Sequence, residues 1–297
     1  MRVLISGVGT RGDVQPVLAL AVALREQGHE ASVCVPPNFV DWATRLGFAA
    51  TPVGVEMRAP GRATGPAPTP PPRPEDLVGS LVGDQFTQVR LAVVGCDLVV
   101  GAGTYQFAAH SIAELLGLPY LNAVYAAVSI PSRDLPPRAN PGEIWQAGEP
   151  AENLRRWEAD AQSWNDRYLA LINQNRQALG LRPVEDVRTY ILGERPLLAA
   201  DLLLGHAPEA LGMTVVSTGA WLLTDSEPLS PELEAFLAAG EPPIYFGFGS
   251  MPAAPNLGST VLETARKLRR RAIVSQGWAD FDPLAAAPDH LLIRDVN

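Results

Sequence analysis

The feature that most constrains the fold is an alternation of short apolar runs with segments whose apolar residues recur at helical spacing. The apolar runs occupy residues 3–6, 31–35, 48–53, 98–100 and 120–124, and the helical segments occupy residues 16–27, 39–46, 86–94 and 110–116. Strands that are apolar along their whole length are buried on both faces. Such strands, alternating with helices, form a parallel sheet covered on both sides. The sequence therefore predicts an α/β fold.

A second α/β region begins near residue 241. Its predicted strands are residues 244–246, 271–275 and 291–294, fewer than an independent doubly wound domain uses. Residues 231–239 predict a helix before it, and residues 153–179 predict a long helix whose face carries Trp157, Trp164 and Tyr168. We predict a first domain over residues 1–218, a linker over 219–240 and a partial second domain over 241–297.

Composition excludes several classes of protein. The net charge of −9 disfavours nucleic acid as a partner, because phosphate backbones are repelled. Only two cysteines are present, far apart, so neither a disulfide framework nor a zinc site is indicated. The apolar run near the N-terminus is too short for a signal peptide or a membrane span. We expect a cytoplasmic protein with no membrane span.

Two proline-rich segments interrupt the alternation. Residues 57–76 contain seven prolines and no apolar period, which predicts a mobile surface loop. Residues 131–150 are also rich in proline and lack periodicity.

A glycine loop follows the first predicted strand. The segment Gly7-Val8-Gly9-Thr10-Arg11-Gly12-Asp13 satisfies the G-x-G-x-x-G pattern between a strand and a helix, where a dinucleotide fingerprint occurs. A nicotinamide or flavin site also needs an acidic residue at the end of the second strand. That end reads Cys34-Val35-Pro36-Pro37, and Glu30 stands at the beginning of the strand. The sequence therefore argues against a dehydrogenase.

Two side chains beside this loop each have two interpretations. Asp13 is either the N-cap of the following helix or an ionised carboxylate that accepts a proton from a substrate hydroxyl. Arg11 is either a solvated loop residue or a donor to a phosphate or carboxylate. A carboxylate at a helix start is expected to have a low pKa, which would make Asp13 a weak base.

Three motifs together carry a family resemblance. They are Met1–Pro16 around the glycine loop, Pro243–Met251, and Ser275–Asp280, with Ser217–Trp221 between the predicted domains. In this order they resemble bacterial natural-product glycosyltransferases, most of all those that act on glycopeptide antibiotic aglycones. The resemblance implies a GT-B fold of two facing Rossmann-like domains. It also implies transfer, with inversion and without a metal or cofactor, of a hexose from a dTDP- or UDP-sugar to a hydroxyl group of the acceptor.

The resemblance also assigns roles to individual residues. Asp13 matches the position of the base that activates the acceptor hydroxyl. The donor-binding residues it implies are Thr10, Arg11, Gly12, Gly249, Ser250, Trp278 and Val296. The aromatic candidates for stacking on the acceptor are Tyr105, Phe107, Tyr125 and Trp145, each of which has a core role as its alternative.

One departure from the family concerns the donor side. Full-length members continue past the position of Asn297 into a His-His-Gly-Gly-x-Gly-Thr-like loop that grips the pyrophosphate. We therefore expect residues 1–297 to be inactive alone. Two alternatives stay open, a nucleotide-sugar epimerase and an acceptor-binding module without catalysis. The four histidines stand alone in the sequence and are expected to be structural or exposed: His29, His110, His206 and His290.

Overall fold

A computed structural model gives the fold of the chain in two units. It describes residues 1–56, 74–139, 144, 146, 148–224, 228–250, 256–275, 277 and 288–293. The first unit contains the described residues up to Leu223, and the second contains those from Thr224 onwards. Predictions for residues 57–73 and for Trp145, Trp278 and Val296 lie outside the described residues. The domain boundaries at residues 218 and 241 stay predictions.

The first unit is built around a parallel sheet. Its elements are β1 (Arg2–Gly7), α1 (Arg11–Glu26), β2 (Glu30–Val35), α2 (Val40–Arg45), β3 (Ala49–Pro52), α3 (Pro74–Ala92), β4 (Leu98–Ala102), α4 (Ala109–Leu116), β5 (Tyr120–Val124), α5 (Pro150–Trp164), α6 (Ala170–Ala178), α7 (Val187–Leu192), β6 (Leu197–Leu198) and β7 (Val216–Ser217). Seven strands lie in the order β3-β2-β1-β4-β5-β6-β7, and every neighbouring pair is parallel. The predicted α/β fold is confirmed.

Helices cover both faces of this sheet. Since successive side chains of a strand point to opposite faces, each strand contributes residues to two cores. On β1, Leu4 packs into the core with α3, α4 and the helices around Trp164. Val3 and Ile5 pack into the opposite core with α1 and α2. All three side chains are at most 1% exposed. Burying a side chain of this size stabilises the fold by about 1.5–3 kcal/mol.

The predicted helix over residues 153–179 is present with an interruption. A π-helical turn, Asn165–Leu169, joins α5 to α6. Trp157, Trp164 and Tyr168 are all buried, which confirms that this face of the helix packs inward. The Arg188 guanidinium lies over the rings of Trp157 and Trp164, at 5.4 and 4.7 Å, and pairs with Asp160.

Two predicted helix starts are wrong. The first helix begins at Arg11 and not at Pro16, because Pro16 is accommodated inside α1. A proline there removes only one hydrogen bond close to the helix start, so the first turn forms ahead of it. Helix α3 begins at Pro74, so Pro74–Asp76, predicted as the end of a mobile loop, are helical.

The second unit contains a smaller parallel sheet. Its elements are α8 (Pro231–Ala238), β8 (Ile244–Gly247), α9 (Leu257–Lys267), β9 (Ala272–Ser275) and β10 (His290–Ile293). The strands lie in the order β10-β9-β8. Val261, Leu262 and Ala265 of α9 pack against Ala272 and Val274 of β9. The three strands predicted after residue 241 are therefore confirmed.

Candidate active site

The turn between β1 and α1 fixes the carboxylate of Asp13. The Thr10 backbone N–H donates a hydrogen bond of 2.7 Å to Asp13 Oδ2, and the Thr10 hydroxyl donates one of 3.3 Å to the same atom. Thr10 is the N-cap of α1, and Asp13 is the third helical residue. The expectation that Asp13 is the N-cap is therefore wrong. Its carboxylate instead reaches back to the cap residue, as the acidic residue of a capping box does.

Local packing explains why the first two glycine positions of the G-x-G-x-x-G segment carry no side chain. A Cβ on Gly7 would lie 2.5 Å from Val17 Cγ2, so its absence lets α1 pack closely on β1. Gly9 has a φ of +149°, and a Cβ there would lie 2.2 Å from Asp13 Oδ2. Gly12 is exposed, and the nearest atom to its Cβ position, Thr10 Oγ1, is 4.0 Å away. The third glycine therefore leaves open surface at the helix start.

Partial burial sets the electrostatics of Asp13. Desolvation raises the pKa of this carboxyl above its ordinary value of 3.8 and outweighs the hydrogen bonds from Thr10 and the positive charge of Arg138, which act in the opposite direction. The low pKa expected from the helix start is therefore wrong. A raised pKa brings a carboxylate closer to the range in which a general base works at neutral pH.

Arg11 and Tyr125 connect the turn that carries Asp13 to other elements of the first unit. The Arg11 guanidinium lies 4.5 Å above the ring centre of Trp42 in α2. The Tyr125 hydroxyl, directly after β5, donates a hydrogen bond of 3.0 Å to the backbone carbonyl of Asp13. The Tyr125 ring also packs edge-on against Trp221, with ring centres 6.4 Å apart. Tyr125 thus joins the turn that carries Asp13 to the next feature of the site.

That feature is a cavity of about 600 Å³ within the first unit. It lies where β5, β6 and β7 end, because Tyr125, Ala199 and Ala220 follow these strands. Its wall is mostly apolar, with polar groups on three residues, and is lined by Tyr125, Ala126, Ala127, Val128, Leu135, Ala199, Ala200, Asp201, Leu204, Gly205, His206 and Ala220. This volume and this composition are typical of a small-molecule site.

The other acceptor candidates lie elsewhere. Tyr105 is 45% exposed and stacks on Trp164 with ring centres 5.5 Å apart. Phe107 is 1% exposed and packs on Tyr168 at 4.7 Å, so it belongs to the core and offers no surface to an acceptor. The prediction that Phe107 stacks on the acceptor is therefore wrong. Of the described candidates, only Tyr125 lines the cavity.

The donor candidates of the second unit lie in the turn after β8. Gly249 has a φ of +56°, and Ser250 follows it, partly buried. A Cβ on Gly277 would lie 2.2 Å from the Gly249 carbonyl oxygen. The segments after β8 and β9 therefore approach so closely that a side chain at residue 277 would clash with the backbone. Nucleotide contacts by Gly249 and Ser250 stay predictions.

Sequence reasoning missed two polar groups of the first unit. Asp134 Oδ2 lies 2.5 Å from His206 Nε2, across a separation of 72 residues. Arg138 lies close enough to Asp13 to influence its pKa. No local pattern reveals either relationship, because non-local pairing of loops creates both. Within the described residues, no group of three or more His, Cys, Asp or Glu side chains could hold a metal ion.

Comparison with known proteins identifies the family. Residues 3–130 match the description "Glycosyltransferase family 28 N-terminal domain". The chain is 39% identical to glycosyltransferase GtfC of Amycolatopsis orientalis over all of its own length and 72% of that protein. It is 37% identical to the vancomycin aglycone glucosyltransferase of the same organism, again over 100% and 72% of the two chains. The chain belongs to the same glycosyltransferase family as these two relatives.

Solved structures show the fold of this glycosyltransferase. The kitacinnamycin glycosyltransferase superimposes with a TM-score of 0.65 at 15% identity, covering 99% of this chain and 71% of the other. The calicheamicin glycosyltransferase CalG4 gives a TM-score of 0.61 at 16% identity, covering 99% and 70%. The fold is GT-B, as predicted. In the described part of this glycosyltransferase, no helix is long and apolar enough to cross a membrane.

Proposed function

We propose that this glycosyltransferase transfers a hexose, with inversion, from a dTDP- or UDP-sugar to a hydroxyl of a natural-product aglycone of the glycopeptide kind. The observation that carries the proposal is the placement of Asp13. Its carboxylate lies in the turn after β1, is held by Thr10 and has a pKa raised by burial. The backbone carbonyl of Asp13 accepts a hydrogen bond from Tyr125, which lines a ligand-sized cavity. These are properties of a general base beside an acceptor site.

The reaction is a single displacement in which Asp13 acts as base. Thr10 occupies Oδ2, and no described residue forms a hydrogen bond with Oδ1. Oδ1 accepts the proton of the acceptor hydroxyl while that oxygen attacks the anomeric carbon. The bond from the anomeric carbon to the diphosphate breaks, and its electron pair leaves with the nucleoside diphosphate. Attack from the face opposite the leaving group inverts the anomeric configuration.

The relatives support the choice of substrates. One is a vancomycin aglycone glucosyltransferase, and another, 38% identical over 100% of this chain and 70% of its own length, is a dTDP-epi-vancosaminyltransferase. VinC, whose structure resembles this chain with a TM-score of 0.58 at 15% identity, was solved with dTDP. These names favour dTDP over UDP as the carrier nucleotide.

The share of the relatives that the chain covers bears on turnover. The chain spans 72% of GtfC, and its described second unit has three strands. We expect residues 1–297 to bind the acceptor, and turnover is best measured in a chain as long as these relatives. Joining the remaining C-terminal segment of GtfC after Asn297 gives a chimera, here called the GtfC fusion, in which turnover can be measured.

The experiment is a transfer assay with vancomycin aglycone and dTDP-glucose or UDP-glucose. The GtfC fusion should give a product heavier by one hexose, and nuclear magnetic resonance should show the anomeric configuration opposite to that of the donor. Residues 1–297 assayed alone should bind the aglycone. Retention of configuration, or hydrolysis of the donor without any transfer to an acceptor, would contradict the proposal.

A further inference from the structure

Two loops at the rim of the 600 Å³ cavity are held together by backbone pairing. Ser132 and Ala210 form an antiparallel bridge, and the Arg133 N–H donates to the Glu209 carbonyl at 3.2 Å. The first loop is also anchored to α5, because the Trp157 indole N–H donates to the Leu135 carbonyl at 2.7 Å. The rim of the cavity is therefore built by the protein before any ligand arrives.

Asp134 and His206 join these loops through their side chains. Asp134 accepts hydrogen bonds from His206 Nε2 at 2.5 Å through Oδ2 and from the Glu209 N–H at 2.8 Å through Oδ1. Burial acts to raise the pKa of Asp134, but these hydrogen bonds outweigh it and lower the pKa, so the carboxylate is ionised. Because the Asp134 carboxylate only accepts hydrogen bonds, His206 Nε2 must carry a hydrogen. In the neutral imidazole, Nδ1 is then a hydrogen-bond acceptor.

His206 is available to a ligand in the cavity. Its side chain is 65% exposed and lines the cavity, and no described residue forms a hydrogen bond with Nδ1. Asp201, the other ionisable group of the wall apart from Tyr125, uses Oδ1 to accept from the Leu203 N–H at 2.8 Å. The polar groups of the cavity wall therefore include acceptors, and among the described residues no lysine or arginine lines the cavity.

Other residues of the cavity wall are apolar. Leu204 lines the cavity while remaining 91% exposed, and the neighbouring Leu203 is 94% exposed. Exposed leucines at the rim of a cavity gain free energy when a ring system covers them, at about 25 cal/mol per Å² of apolar surface removed from water. The cavity thus combines apolar surface with hydrogen-bond acceptors.

From this arrangement we infer that His206, positioned by Asp134, is a specificity-determining residue that accepts a hydrogen bond through Nδ1 from a hydroxyl on an apolar ring of the acceptor. The inference rests on the proposed function, because it assigns this cavity to the acceptor. It adds the direction of the hydrogen bond between ligand and protein. The cavity favours a ring whose hydroxyl donates a hydrogen bond over the same ring with that hydroxyl methylated.

Two probe compounds test whether the ligand donates this hydrogen bond. 2-Naphthol and 2-methoxynaphthalene share an apolar ring, and only the first can donate a hydrogen bond. Their affinities for residues 1–297 can be measured by calorimetry. The chain should bind 2-naphthol more tightly by roughly three- to tenfold, the range that one hydrogen bond gives.

Two variants test the residues. His206→Phe removes both ring nitrogens and should abolish the preference for 2-naphthol. Asp134→Asn keeps an oxygen for the Glu209 N–H and places an amide N–H against Nε2. His206 then carries its hydrogen on Nδ1, which becomes a donor, so the preference should collapse although the histidine remains. A merely structural role for Asp134 would weaken binding of both compounds equally.

His29→Phe is the matched control, because His29 precedes β2 and does not line the cavity. It should leave the preference unchanged. A wild-type chain that binds neither compound, or binds both equally, would overturn the inference, as would a preference that survives in His206→Phe. If the preference follows His206 while the GtfC fusion transfers no sugar, the proposed function fails and this inference stands.

Discussion

Oδ2 of Asp13 lies 2.2 Å from the position that a Cβ on Gly9 would occupy. The second glycine of the G-x-G-x-x-G segment therefore makes room for a side chain of the same turn. In a dinucleotide-binding protein, the corresponding glycine lets the backbone approach a pyrophosphate. The same sequence pattern thus serves a carboxylate here, and the turn presents that carboxylate where β1 ends.

Replacing Gly9 with alanine should damage this turn selectively. Because Gly9 has a φ of +149° and its Cβ would collide with Asp13, Gly9→Ala should lower the free energy of unfolding by about 1–3 kcal/mol. Gly12→Ala is the control, since open space surrounds that position and alanine is favoured in a helix by about 0.5–1 kcal/mol. Equal destabilisation of the two variants in urea unfolding would contradict the account.

The raised pKa of Asp13 predicts a pH-dependent effect on stability. A folded-state pKa above 3.8 means that ionising Asp13 costs stability, and this cost is fully present above the folded-state pKa. Asp13→Asn should therefore be more stable than wild type at pH 7, and the difference should shrink as the pH falls to about 4. Urea unfolding at several pH values measures it. A variant that becomes less stable than wild type as the pH rises would contradict the prediction.

The surroundings of Asp13 show which features could be predicted from the sequence and which could not. The alternation of apolar runs and helical periods was sufficient to predict β1, β2, β5 and their order along the chain. The start of α1 was not predictable, because Pro16 marked a helix start that the first turn in fact precedes. The sign of the pKa shift depends on burial of Asp13 by distant segments, and burial of that kind has no local signal.

A buried arginine should contribute strongly to the stability of the first unit. Arg176 is 2% exposed and donates to Glu114 Oε2 at 2.9 Å, to Ser111 Oγ at 3.0 Å and to the Arg182 carbonyl at 2.8 Å. Arg176→Ala removes these three hydrogen bonds and a buried side chain. It should cost about 2–4 kcal/mol, although the Tyr190 hydroxyl still donates to Glu114 Oε2.

A surface arginine provides the control for that variant. The Arg156–Glu152 pair has side chains that are 40% and 45% exposed, so Arg156→Ala should change the free energy of unfolding by less than about 0.5 kcal/mol. Both variants can be compared in urea. Losses of equal size would show that the network around Arg176 adds nothing to the fold.

Tyr125 should influence turnover without acting on the substrate's proton. Tyr125→Phe keeps the ring against Trp221 and removes the 3.0 Å hydrogen bond to the Asp13 carbonyl. The loss of one hydrogen bond corresponds to about 1 kcal/mol, so kcat of the GtfC fusion should fall by up to about tenfold. Tyr105→Phe, away from the cavity, should leave kcat unchanged. A fall in kcat of the same size in Tyr105→Phe would remove the special role of Tyr125.

The pairing of Asp134 with His206 could not be predicted from the sequence. Neither residue lies in a motif, and His206 was expected to be structural or exposed. Its side chain is exposed, as expected, but it also meets a carboxylate 72 residues earlier at the rim of a cavity. That meeting depends on the Ser132–Ala210 bridge, whose register follows from packing of the two loops and not from their composition.

The measurement that tests the account most directly is the turnover of Asp13→Asn in the GtfC fusion with dTDP-glucose and vancomycin aglycone. The asparagine keeps an oxygen for the Thr10 N–H and removes the base. We predict a fall in kcat of at least about 100-fold with unfolding no easier than in wild type. A variant that is correctly folded and transfers glucose at the wild-type rate would contradict the assignment of Asp13 as the base.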